Sequence, residues 1–75
     1  MQEDLNLIYP NPTNGLVNIE IQNQTIQSIK VYGLQGQLIK ETAESQFDLS
    51  NYPNGMYFIK AQTKEGFLSY KLLKH

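Results

Sequence analysis

A small antiparallel β-sandwich of immunoglobulin-like proportions, with about seven short strands, is the fold class this sequence predicts. Three observations predict it. Apolar and polar residues alternate with a period of two in short runs, and Gly, Pro and Asn interrupt those runs about every ten residues. No stretch sustains apolar positions at the i, i+3, i+4, i+7 spacing of a helix. The chain has 75 residues, 40% of them hydrophobic, and no cysteine, so one thin core must hold it without disulfides.

The first run, residues 5–8, is stopped by Pro10 and Pro12, which cannot donate to a ladder and stiffen the chain behind an edge strand. Asn14-Gly15 supplies residues tolerant of positive φ for a tight turn. Val17, Ile19 and Ile21 then share one face of Leu16–Ile21, the clearest half-buried strand in the chain. Residues 22–25 are polar and read as a connection. The next strand spans 26–32, with Ile29 and Val31 inward and Lys30 and Tyr32 on the other face. Gly33-Leu34-Gln35-Gly36 forms a turn, and 37–41 returns as the hairpin partner. A short strand at 45–49 aligns Phe47 with Leu49. Pro53 and Asn54-Gly55 mark a tight turn before a long strand at 56–63, and Lys64-Glu65-Gly66 closes the last hairpin. The final strand, 67–73, places Leu68, Tyr70 and Leu72 on one face.

Composition excludes several kinds of function. Six lysines, no arginine and seven acids give a net charge of −1, which provides no basic footprint for nucleic acid. The single histidine is His75, the last residue, so no Ser-His-Asp or Cys-His constellation can be assembled and no enzyme is expected. Gly33 and Gly36 lack the lysine and following helix of a phosphate-binding loop. No cofactor or metal is called for. Asp48, Ser50 and Asn51 could offer oxygens to Ca²⁺, but Asp48 and Ser50 more simply bond backbone amides and set the following turn. The five tyrosines invite a sugar-stacking reading, for which Tyr32 and Tyr52 are the exposed candidates and Tyr57 and Tyr70 belong to the core or its rim. No apolar run reaches the roughly 20 residues of a membrane span. Met1-Gln2-Glu3-Asp4 is polar and acidic, unlike a secretory signal, so an export signal would sit on a larger precursor.

Three segments and a terminus recur with fixed spacing: Tyr9-Pro10-Asn11-Pro12-Thr13-Asn14-Gly15, Val31-Tyr32 followed by Gly36, Asp48-Leu49-Ser50 followed by Tyr52, Gly55 and Tyr57, and finally Lys71-Leu72-Leu73-Lys74. In this order the chain resembles the type A C-terminal sorting domain of proteins exported by the Bacteroidetes type IX secretion system. The resemblance spans residues 5–74. Gly33 departs from it, standing where an acidic or amide residue is usual.

The resemblance implies a domain at 5–75 preceded at 1–4 by the remnant of a linker from a parent cargo domain. It implies a non-catalytic address read by the outer-membrane translocon after periplasmic transit, and a sortase-like protease at the cell surface that cuts the linker. The cargo would end on the outer-membrane surface or be secreted. The competing reading is an accessory carbohydrate-binding or adhesive module; an inert spacer is a third. The recognition element is expected in the last strand, with Lys71 and Lys74 as exposed charges flanking Leu72 and Leu73, where strand addition would supply main-chain bonds. Lysines on an edge strand also discourage aggregation.

Overall fold

The computed structural model describes residues 6–22 and 24–75. The expected linker remnant at 1–4, Leu5 of the first run and Asn23 of the first connection lie outside them. Seven strands follow in order: β1 (Asn6–Tyr9), β2 (Leu16–Ile21), β3 (Ser28–Tyr32), β4 (Leu38–Thr42), β5 (Gln46–Asp48), β6 (Gly55–Thr63) and β7 (Gly66–Lys74). They form a three-stranded sheet, β1-β2-β5, and a four-stranded sheet, β4-β3-β6-β7, with all neighbours antiparallel. The all-β sandwich expected from the alternation is therefore the fold.

Alternation becomes burial because successive side chains of a strand point to opposite faces. Val17, Ile19 and Phe47 from the smaller sheet meet Ile29, Val31, Tyr57, Ile59, Ala61 and Leu72 from the larger one, with Leu49 closing the core just after β5. Burying a Val, Leu or Ile side chain contributes roughly 1.5–3 kcal/mol, so these few residues hold most of what stabilises a domain this small. Ile8, Ile21, Ile26, Ile39, Tyr52 and Tyr70 pack around them partly exposed.

The fourth strand pairs with the third rather than with the fifth, unlike the fourth strand of a constant-type immunoglobulin domain. The turn explains this. Gly36 N–H donates to Gly33 O at 3.0 Å and Gly33 N–H to Gln37 O at 2.9 Å, so the chain folds straight back on itself. A register shift beside Val31 and Tyr32 places Val31 opposite Lys40 and Tyr32 opposite Leu38. Ile39 is thereby the extra residue of a bulge, and the strand begins one residue later than the 37–41 expected.

Strand directions gather the connections at two poles. One pole carries residues 10–15, 33–37 and 49–54 together with the end of β7. At the other lie Asn6, the connection after β2, residues 43–45 and the 64–65 hairpin tip.

Candidate recognition site

The four motifs, whose contacts span as many as 62 residues of sequence, meet at the first pole. Thr13 is the hub. Its N–H donates to Leu73 O at 2.8 Å and its O accepts from His75 N–H at 2.9 Å, making a parallel bridge beside Lys74. Its Oγ1 donates to Leu16 O and accepts from Gly15 N–H, and the side chain is 1% exposed. Asn11 extends the same strap: Nδ2 donates to Lys71 O at 3.1 Å, and Oδ1 accepts from Leu73 N–H at 3.2 Å. Pro10 and Pro12, each preceded by a cis peptide bond, stand exposed on either side of Asn11. The Tyr9-to-Gly15 segment thus closes the outer edge of the C-terminal half of β7.

The third motif locks onto this strap from the end of β5, the neighbour of β2. Leu49 N–H donates to Gly15 O at 2.8 Å, and Ser50 donates to Asp48 Oδ1 through both its hydroxyl and its N–H. Those two donors, the hydroxyl foremost, hold the Asp48 carboxyl below the usual carboxylate range, with Lys40 and Lys74 adding attraction. This turn-setting role is the one expected of Asp48. Among the described residues no group of three or more His, Cys, Asp or Glu is placed to hold a metal ion.

Gly15 is more than the turn residue the sequence suggested. Its φ is +152°, and a Cβ would strike the Ser50 hydroxyl and lie 3.3 Å from Ser50 Cα. Asn14 beside it is exposed. The start of β2 and the turn after β5, neighbours in one sheet, therefore approach closely where glycine fits best.

Tyr57 is 6% exposed and donates its hydroxyl to Pro53 O, and burial pushes its pKa up. Tyr52 donates to Ile39 O at 3.2 Å while its ring packs on the core. Val31 and Leu49 are fully buried, Gly36 is an exposed turn residue and Gly55 opens β6. Of the tyrosines, Tyr9 is the exposed one, at 40%. It donates to Glu20 Oε2 at 2.9 Å, and that bond, more than burial, raises its pKa.

The terminal segment needs correction. β7 alternates strictly, so Lys71 and Leu73 face out whereas Leu72 is fully buried and Lys74 is 7% exposed. Lys74 is not the exposed charge expected: its Nζ donates to Asn54 Oδ1 at 2.9 Å, tying the terminus to the turn before β6. Tyr32 and Tyr52 do not share a face, and neither is as exposed as expected. Tyr32 stands opposite Phe58 on the outer face of the larger sheet, with Val31 and Ile59 on the inner face, while Tyr52 packs inward.

The sequence marks Asn54 as a turn residue and Thr13 as part of the first motif, but not their contacts, since each bonds a partner about 20 to 60 residues away. A polar β-branched residue between a proline and Asn-Gly is the one available hint for Thr13. The pole offers an exposed lysine, Lys71, and loops held together by hydrogen bonds around the end of β7. The family described as secretion system C-terminal sorting domain matches residues 7–75. No curated protein matches the chain.

Proposed function

Because this chain belongs to the secretion-system C-terminal sorting domains, we propose that the type IX machinery reads it at the pole where the motifs meet. The domain is a C-terminal sorting signal for type IX secretion, and a protein that bears it is destined for the cell surface or for secretion. The family is one of sorting signals rather than of catalysts. What supports the pole as the reading surface is the convergence of Asn11, Thr13, Asp48, Asn54 and Lys74 around the end of β7.

Chain direction fits this role. Asn6 lies at the opposite pole, paired with Ile21, so a parent domain joined ahead of β1 stands away from the motif pole. Residues 1–4 are the end of that linker, and a sortase-like protease cuts in it once the cargo reaches the surface. Before that the parent folds in the periplasm and presents this domain to the outer-membrane translocon. Exposed Lys71 and Leu73 are the outward half of the address, while Leu72 and Lys74 hold the strand in place.

The test fuses residues 1–75 behind a periplasm-directed fluorescent protein in a bacterium with a type IX system. Surface appearance that disappears in a translocon-deficient strain supports the reading. Equal surface yield in both strains refutes it.

A further inference from the structure

β7 is an edge strand, and its edge divides into two halves. Leu73 directs both its N–H and its carbonyl to the strap, so it points away from β6. Antiparallel ladders alternate residues that face the neighbour with residues that face away, so Lys71, Ser69 and Phe67 also point outward. Lys71 O is taken by Asn11. Among the described residues no strand and no bridge lies against the edge N-terminal to that point. The main-chain groups of Phe67 and Ser69 and the N–H of Lys71 form a row open to a further strand.

The side chains beside this row have a consistent chemistry. Phe67, Ser69 and Lys71 share the outer face with Gln62, Lys60 and Phe58, their partners across the hairpin. Lys60 Nζ sits 4.6 Å from the centre of the exposed Phe67 ring. Tyr32, Phe58, Lys60, Ser69 and Lys71 line a shallow groove on this face. Lys30 stands opposite Lys60 on β3, with Glu41 of β4 beyond it. Beside the open strand this face carries Lys60 and Lys71, with Lys64 and Glu65 at the hairpin tip. On the inner face of β7, Leu68 and Tyr70 are half-buried at the rim of the sandwich.

We propose that the open half of the β7 edge, residues 66–71, takes up an extended acidic segment of a partner protein as an added strand. The segment is about five residues long in contact, because Asn11 and Thr13 already occupy the edge beyond Lys71. Main-chain bonds to Phe67, Ser69 and Lys71 supply affinity, and alternation sets specificity. Residues of the segment on the outer face are acidic, to meet Lys60 and Lys71. Those on the inner face are apolar, to cover Leu68 and Tyr70. Charge argues against a second copy of this chain as the occupant. Two β7 strands pairing about Ser69 would bring Lys60 and Lys71 of both copies onto one face, four lysines against the Glu65 of each hairpin tip. The inference deepens the sorting reading, with the acidic segment belonging to the machinery that reads the domain.

The probe is a capped heptapeptide alternating Glu and Val, added to the ¹⁵N-labelled chain, with the Lys-for-Glu version as its counterpart. Exchange protection of the Phe67, Ser69 and Lys71 amides by the acidic peptide alone is the expected result. Lys60→Glu combined with Lys71→Glu, both on the solvent face, should weaken acidic-peptide binding at least about tenfold and gain binding of the basic one. Ser69→Pro, which removes an outward donor, should abolish binding while β3 and β6 amides stay protected. No protection at millimolar acidic peptide, equal binding of both peptides, or protection without peptide at doubled molecular mass would each overturn the proposal. Translocon-dependent export together with failed peptide binding would sink this inference and leave the sorting reading standing.

Discussion

Replacing Asn11 with alanine separates the strap from the strand it covers. Asn11 is exposed, and its side chain makes two hydrogen bonds, one to each of two alternate residues of β7. A net intramolecular hydrogen bond is worth about 0.5–1.5 kcal/mol, and at an exposed site water compensates part of each. The loss expected is therefore about 1–2 kcal/mol. In a domain of this size each kcal/mol moves the melting temperature by about 4–8 °C, giving a fall of roughly 4–16 °C. Tyrosine fluorescence reports the transition without interference, since the chain has no tryptophan. Amide exchange localises the effect: the Leu73 amide should lose protection, while the Leu72 amide, which faces β6, keeps it. A Leu73 amide that stays protected in the variant, or a melting temperature unchanged within a degree, would refute the idea that Asn11 closes this edge.

The other predictions concern the core and the turn that supports the pole. Gly15→Ala must place a side chain at φ +152° against Ser50, and should lower the urea-derived stability by about 2–4 kcal/mol; an unchanged urea midpoint would contradict it. Leu72→Ala empties a fully buried site and should cost about 2–5 kcal/mol, a large share of what a domain this size possesses, as read from the same urea curves. Asp48 has a depressed pKa in the fold, so its contribution is present above the ordinary carboxylate range and is lost as pH falls through the lowered value. Asp48→Asn should therefore flatten the decline of stability on acidification below about pH 4, measured by urea midpoints across pH.

The strands were legible because each carries its signal locally. Val17 and Ile19 alternate with Asn18 and Glu20, and the core face of β2 follows without knowledge of any partner. Gly33 and Gly36 likewise announced the β3–β4 hairpin, although the bulge at Ile39 arises only when two strands are aligned. Lys74 was misread for the opposite reason. A terminal lysine is ordinarily solvated, and only the arrival of Asn54 and Thr13 from distant segments buries it. Exchanging Lys71-Leu72-Leu73-Lys74 for a flexible neutral tail would remove Leu72 from the core, so fold and signal would fail together. The expected exposure of Tyr52 is corrected on the same ground, since nothing near it in sequence says that its ring turns inward. The spaced motifs mark a sorting domain in the sequence, yet their joint purpose, a clamp around the end of β7, exists only in three dimensions.

The central claim is that the secretion machinery reads the folded motif pole and the edge of β7 rather than the composition of the tail. Surface yield of a periplasm-directed reporter fused to this domain tests it most directly, comparing Lys71→Glu with Leu73→Ser at the reading surface against Lys64→Glu at the opposite pole. All three positions are exposed, and melting curves confirm which variants remain folded. The account predicts that the folded Lys71 and Leu73 variants lose surface yield while the Lys64 variant exports like the parent. Equal export by all three would contradict it.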